Sequence, residues 1–294
     1  MSRNPIKTSN RLVDSDGKML IAVVHSLQEP WLTITKMGQF QTWLKRIDGE
    51  RFTVIHFFAS PPSKFTNKVD RFNEDLRWRK GGLVSRIRNH FAHVLLYPWI
   101  YWIPKYSPDK MEGILPPPNA IRINLLDMYA TTRWKRLAIM KYFLEETNHE
   151  YLLMTTSSSY LRPEILLEKI KGINKPKLYA GSLIPLSEKS YFCSGAQTVL
   201  NRAASVELIR NRRKIPVELL DDLGLGIACQ RLGIETNEIG TLNINSLESL
   251  RQTDTSTIKE NQHFRLKSEK DGIRMDVEIF LELDRRIQNI EEAE

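Results

Sequence analysis

The segment Lys18-Met-Leu-Ile-Ala-Val-Val24 is apolar without interruption after its opening lysine and rich in β-branched residues. A strand with one wet face would alternate polar and apolar side chains. This one does not, so it fits a strand buried on both faces of a parallel sheet. His25-Ser-Leu-Gln-Glu-Pro30 follows at its carboxyl end. A helical stretch over 40–47 then leads to a second strand over 51–58, stopped by Ser60-Pro-Pro62. Strand, helix, strand predicts a βαβ unit. Open sheets of this kind bind ligands beyond the carboxyl ends of their strands.

Further strands are expected over 120–125, 151–154, 177–181 and 195–200, with helices over 128–146, 163–170, 203–211, 222–231 and 276–290. The class is α/β, a Rossmann-like, mostly parallel sheet flanked by helices. The 294 residues suffice for a substantial core. They read as a flexible N-terminus over 1–17 and one domain over 18–294, with a basic and aromatic insertion at about 61–118. In that insertion Arg71 to Arg88 is densely basic, and Phe91 to Ile103 is apolar with Trp99, Tyr101 and Trp102. This suits a membrane interface, with cations on headgroups and aromatics at the boundary. It equally suits a buried strand or helix of an ordinary lobe. Pro98 and Pro104 argue against one long membrane-buried helix.

Two cysteines, Cys193 and Cys229, give neither a disulfide framework nor a zinc pattern. The N-terminal residues lack the apolar core of a signal peptide, and no apolar run reaches spanning length. A cytoplasmic protein is expected, with peripheral contact at the inner face of the membrane as an option. A net charge of +8 points to an anionic partner, unless it only keeps the surface soluble. That partner could be nucleotide phosphate, a membrane surface or nucleic acid. Basic residues interleaved with Phe72, Trp78 and Phe91 could bind phosphate and stack bases, but no nucleic-acid-binding signature is evident. Nucleic acid is therefore not favoured.

Several constellations could carry chemistry. Asp127-Met-Tyr129 precedes Lys135, and Asp127 is either an N-cap of the following helix or part of a site. Arg133, Lys135 and Arg136 in the early turns oppose the helix dipole, which suggests that they answer an anion. Tyr151-Leu-Leu-Met-Thr-Thr-Ser-Ser-Ser159 is an apolar strand ending in five hydroxyl residues, and Pro163 opens a helix. Tyr191 to Arg202 places the small residues Ser194 and Gly195 before an apolar strand, as a packing turn or a close approach to ligand. Asp221-Asp222 at a helix start are N-caps, or a general base tuned by its neighbour. His263-Phe-Arg-Leu-Lys267 alternates cations along an extended segment. It is either a solvated strand or a set of donors suited to a diphosphate.

In this order the pieces resemble the β1,3-galactosyltransferase/Fringe-like group of GT-A glycosyltransferases. The carrying residues are Asp127-Met-Tyr129 with Lys135, Tyr151 to Ser158, Phe192-Cys-Ser-Gly195, and Asp221-Asp222 with Arg231-Leu-Gly-Ile234. The match covers roughly 120–235. It implies a GT-A-like fold, a nucleotide-sugar donor (UDP in that group) and an inverting displacement onto a hydroxyl of a glycan or lipid-linked glycan, as in bacterial-type glycan synthesis. It makes Asp222 the general base, with Asp221 beside it. Ser194 and Gly195 would line the sugar or acceptor pocket, and His25 and Ser26 would meet the nucleoside. The family's Asp-Asp-Asp is replaced here by Thr156, Ser157 and Ser158. Hydroxyls are poor ligands for a hard divalent cation, so no cofactor and no metal are expected. Arg265 and Lys267, with Lys135 and His263, would then stabilise the departing diphosphate. The alternative is a catalytically inactive nucleotide-binding or nucleic-acid-binding protein on the same scaffold.

Overall fold

A computed structural model describes residues 17–61, 63, 103–108, 120–128, 131–187, 190–216, 219–270 and 273–293. The expectations for the flexible N-terminus and for most of the 61–118 insertion, as well as Tyr129, fall outside these residues. The strands are β1 (Met19–Val24), β2 (Phe52–Ser60), β3 (Tyr106–Pro108), β4 (Ala120–Leu126), β5 (Tyr151–Thr156), β6 (Ser159–Leu161) and β7 (Tyr179–Ser187). β8 (Ser190–Asn201), β9 (Thr236–Glu238), β10 (Leu242–Ile244), β11 (His263–Leu266), β12 (Glu269–Lys270) and β13 (Ile273–Arg274) complete them. The helices are α1 (Thr132–Glu146), α2 (Pro163–Lys171), α3 (Arg202–Arg210), α4 (Asp221–Arg231), α5 (Leu247–Gln252), α6 (Thr255–Glu260) and α7 (Asp276–Glu292).

The main sheet runs β3-β4-β2-β1-β5-β8-β7-β9. The apolar run of β1 lies between β2 and β5, parallel to both, and β4 extends the parallel set beyond β2. β8 is antiparallel to β5 and to β7. The chain builds outward from β1 to β2 and β4 on one side, then to β5 on the other. The order therefore switches between β1 and β5, where sheets of this type hold their ligands. One face packs Leu20, Leu152 and Leu200 against Phe143 of α1, Leu208 of α3 and Leu225 of α4. The other packs Ile21, Leu153 and Val199 against α2, α7 and the small sheet β10-β11-β6. The expected mostly parallel α/β class is what the chain forms.

Several expectations need correction. The strand read as 151–154 extends through Thr155 and Thr156. Both are β-branched and suit a strand, and Thr155 buries its hydroxyl by donating to the Ala196 carbonyl at 2.9 Å. The hydroxyl run is thus mostly strand, and only Ser157 and Ser158 form the turn that carries the chain from the main sheet into the small one. The helix read at 40–47 is instead a π-turn, Ile34–Gly38, followed by 3₁₀ turns Gln39–Gln41 and Trp43–Arg46. A Cβ on Gly38 would lie 2.7 Å from the Phe280 ring, so this backbone is pressed onto α7. Between 236 and 274 the extended segment read at 263–267 is β11, while β9, β10, β12, β13, α5 and α6 occupy stretches in which no element was expected. None contributes more than two buried apolar residues, such as Ile244, Leu250, Ile258 and Phe264, too few to show a period.

β8 departs furthest from its expected form. It is paired with β7 at Thr198↔Gly181 and again at Cys193↔Leu183, so residues 194–197 stand opposite Ser182 alone. This wide bulge, rather than a turn before the strand, carries Ser194 and Gly195. Bulges re-aim side chains beside functional sites.

Candidate active site

Three groups of side chains gather at the carboxyl ends of the parallel strands. The first lies at the switch point. His25 follows β1 and Ser157 follows β5, and His25 Nδ1 is 3.2 Å from Ser157 Oγ and 3.2 Å from Thr35 Oγ1. The ring is fully buried; burial, then the charge of Lys135, lowers its pKa to about 3, so it is neutral. Lys135 is also buried and donates to Asp127 Oδ1 and, at 3.2 Å, to the His25 carbonyl. Asp127 is therefore no N-cap, for α1 starts only at Thr132 with Thr131 in the cap position. Ser26 is half-buried and accepts from the Gln28 N–H at 3.2 Å, closing a local turn. The anion answered by Lys135 is thus the protein's own, and both the expected nucleoside contact His25 and the expected diphosphate contact Lys135 form interior structure.

The second group is the acid pair. Asp221 and Asp222 open α4 as its first two residues, and Leu220 rather than either acid stands in the N-cap position. Arg136, buried in α1, donates through Nε to Asp221 Oδ2 and through NH2 to the Gly195 carbonyl at 2.6 Å. Burial opposes its charge, but Asp221 and Asp222 outweigh burial and keep its pKa above the ordinary arginine value. Asp222 Oδ2 accepts from the Gly195 N–H at 2.9 Å, and Oδ1 accepts from the Leu223 N–H at 2.8 Å. Burial, then the Asp221 charge, pushes the Asp222 carboxyl above its usual range, while Arg136 and the two N–H groups pull the other way. α4 reaches β8 closely because of Gly226, where a Cβ would lie 2.2 Å from Phe192 Cβ. Gly195 does permit a close approach, as expected, but it is Arg136 and Asp222 that approach it.

The third group is cationic. Arg265 of β11 donates to Ser194 Oγ at 3.4 Å. Arg274 of β13 donates to Ser158 Oγ at 3.2 Å and to the Leu266 carbonyl at 3.0 Å. It is held from behind by the buried Asp276 at 2.5 Å and lies 4.9 Å from the centroid of Trp31. Burial, then the charges of Arg265 and Arg274, lowers the pKa of the exposed Lys267, which places the three cations within range of one another. His263 does not belong with them. It is fully buried, its Nδ1 is 2.7 Å from Thr241 Oγ1, and burial followed by Arg265 lowers its pKa to about 3. Beside the cations, Thr156 Oγ1 is 3.4 Å from Ser159 Oγ, and the Thr156 carbonyl accepts from Gln39 Nε2 at 3.1 Å.

The segment where the resemblance places metal-binding carboxylates does not fit a divalent cation. Ser157 is engaged with His25, and Ser158 already faces the Arg274 guanidinium, which would repel a second cation. Among the described residues no group of three or more His, Cys, Asp or Glu side chains could hold a metal ion. Sequence reasoning missed Trp31 and Thr241, whose roles arise from chain segments distant in sequence. Arg136 carried one signal, a cation in the first turns of a helix. No helix among the described residues is long and apolar enough to cross a membrane.

No protein-family model matches the chain, and no curated protein sequence does. Among solved structures it is similar to the glycosyltransferase GlyE of Streptococcus pneumoniae TIGR4, at 10% identity and a TM-score of 0.42. That similarity covers 94% of this chain and 63% of the streptococcal one, so the chain spans less than two thirds of that protein's length. It is also similar to apo mouse xyloside xylosyltransferase 1, at 6% identity and a TM-score of 0.40, covering 84% of this chain and 96% of that one.

Proposed function

We propose that this chain is a glycosyltransferase moving a sugar from a nucleoside diphosphate, UDP in the family it resembles, to a hydroxyl acceptor. The transfer is inverting and uses no metal. The observation that carries this reading is the way an acid and a cation meet at one bulge. Asp222 engages Gly195, and Arg265 engages the preceding residue, Ser194. α4 and β11, which bring them there, pack on opposite faces of the main sheet. An inverting displacement needs a base on one side of the anomeric carbon and a stabilised leaving group on the other.

In this mechanism the acceptor hydroxyl gives its proton to the Asp222 carboxylate as its oxygen forms the new bond to the anomeric carbon. The bond from that carbon to the diphosphate oxygen breaks, and its electron pair leaves with the diphosphate. Arg265 and Lys267 stabilise the departing charge, while the hydroxyls of Thr156 and Ser158 contact phosphate or sugar. The raised pKa of Asp222 suits it to receiving a proton. A phosphate beside Lys267 would relieve the repulsion from Arg265 and Arg274. The acceptor class is a glycan or a lipid-linked glycan.

The test is calorimetric titration with UDP and a panel of nucleotide sugars, each with manganese and with excess chelator. Binding that survives chelation is expected. Binding only with manganese overturns the metal-free reading. Failure of every nucleotide to bind favours the alternative of a catalytically inactive, nucleic-acid-binding scaffold.

A further inference from the structure

We propose that Arg136 is the positioning residue of this site, sorting two adjacent acids into an anchored Asp221 and a proton-exchanging Asp222. The inference deepens the transferase reading and rests on it for what Asp222 does with the proton.

Two carboxylates side by side at the start of one helix are chemically alike, and nothing in their sequence separates them. Arg136 separates them by geometry. Its Nε reaches Asp221 Oδ2, and the two side chains are 4% and 12% exposed, so Asp221 is committed to an interior ion pair. The same guanidinium spends NH2 on the Gly195 carbonyl at 2.6 Å and rests NH1 3.9 Å from the Met154 sulfur. Among the described residues, Asp222 receives backbone donors alone, from Gly195 and Leu223. A guanidinium presents its donors in a fixed plane, so gripping Asp221 and Gly195 together fixes both relative to α1. The Gly195 N–H, fixed in turn, sets where Asp222 stands.

The charged and titratable groups around Asp222 support the sorting. From α1 come Arg136 and Arg133, the latter bonded to the Leu219 carbonyl beneath the start of α4. From α4 comes Asp221. From β8 comes Cys193, whose thiol burial drives upward, and behind it Tyr179 of β7, which burial raises well above the ordinary phenol value. Both are neutral over the working range. Burial raises the proton affinity of Asp222 most, the Asp221 charge pushes it further up, and Arg136 with the Gly195 and Leu223 N–H groups pulls it down.

That balance predicts shifts of opposite sign. Arg136→Gln should move the Asp222 titration up by about one pH unit, and Asp221→Asn should move it down by a similar amount. Arg136→Lys, which keeps the charge, should stay close to wild type. Two readouts serve: carboxyl titration of the free protein by infrared or carbon-13 spectroscopy, and the acid limb of the kcat/KM profile. A merely structural role for Arg136 lowers the amplitude of activity without moving that limb. No shift, or shifts of the same sign, overturns the proposal. If Arg136→Gln does not fold, the pair Arg136→Gln/Asp221→Asn removes both halves of the buried ion pair and is compared with Asp221→Asn alone. A higher Asp222 titration in the pair supports the proposal, and an identical one overturns it. Opposite shifts in the free protein without any sugar transfer would leave the sorting intact and remove only the transferase reading.

Discussion

Arg136 and Asp222 hold the two polar ends of one residue: the guanidinium binds the Gly195 carbonyl at 2.6 Å, and the Gly195 N–H binds Asp222 Oδ2 at 2.9 Å. A side chain at position 195 would intrude on both. Its Cβ would lie 2.8 Å from Arg136 NH2 and 3.2 Å from Asp222 Oδ2. Gly195→Ala should therefore displace both groups, costing about 1–3 kcal/mol of stability and lowering kcat about 100-fold. Urea unfolding and initial rates check this, and wild-type turnover in a folded variant would show that the grip is dispensable.

Gly226→Ala tests the same arrangement from the helix side. The added Cβ would sit 2.2 Å from Phe192 Cβ and 3.1 Å from Phe192 Cα, so α4 must lift away from β8 and carry Asp222 with it. Trimming Phe192 to Ala leaves both of those atoms in place. The double variant should thus remain as impaired as Gly226→Ala, in kcat as in Tm. Rescue by the trimmed ring would show that the ring, not the backbone spacing, sets the distance.

Asp222→Asn removes the proposed base while keeping its shape. Turnover should fall by about 10²- to 10⁴-fold, with donor affinity unchanged. Arg265→Ala should do the reverse at the other end, weakening UDP binding in a chelator-containing buffer. Unchanged turnover in the first, or unchanged affinity in the second, removes that residue from the site.

Acid should begin to destabilise the fold as the pH drops through the ordinary histidine range. Burial lowers His25, His56 and His263 to about 3 and His149 to about 4, from an ordinary 6.5. Below 6.5 the unfolded chain takes up protons that the native state refuses. Stability is thus fully present above that pH and falls by about 1.4 kcal/mol per pH unit for each of the buried His25, His56 and His263, and by less for the partly solvated His149, until the native values are reached. The raised carboxyls Asp222 and Asp276 act oppositely, slightly favouring the native state as pH falls toward their range. Urea titrations at pH 7.5, 6 and 5 should show a steep loss of midpoint, and His56→Phe should flatten it. A flat wild-type profile would mean that the imidazoles charge within the fold.

The parallel core was legible because β1 and the first four residues of β5 are apolar, and periodicity reports such runs directly. Asp222 and Gly195 were legible as residue types at spacings that chemistry uses. What could not be read was which partner each group has. Lys135 and His263 look like free cations in the sequence; one is bound to Asp127 and the other is neutral in the core. Charge on a side chain is visible in a sequence, but its neutralisation by a residue far along the chain is not. Apart from β11, the small elements between 236 and 274 escaped for a related reason, since each buries too little to leave a pattern.

The bulge in β8 inserts three more residues than β7 needs between its two pairings, an odd number. Cys193 and Leu200 consequently face the same layer although alternation along an unbroken strand would set them on opposite sides. β8 is in effect two half-strands out of phase. Removing one residue from 194–197 would bring them back into step and exchange the faces of everything toward the hairpin. Ser194 would then turn toward α4 and away from Arg265, so the parity of this short segment decides which layer of the protein each of its side chains can address.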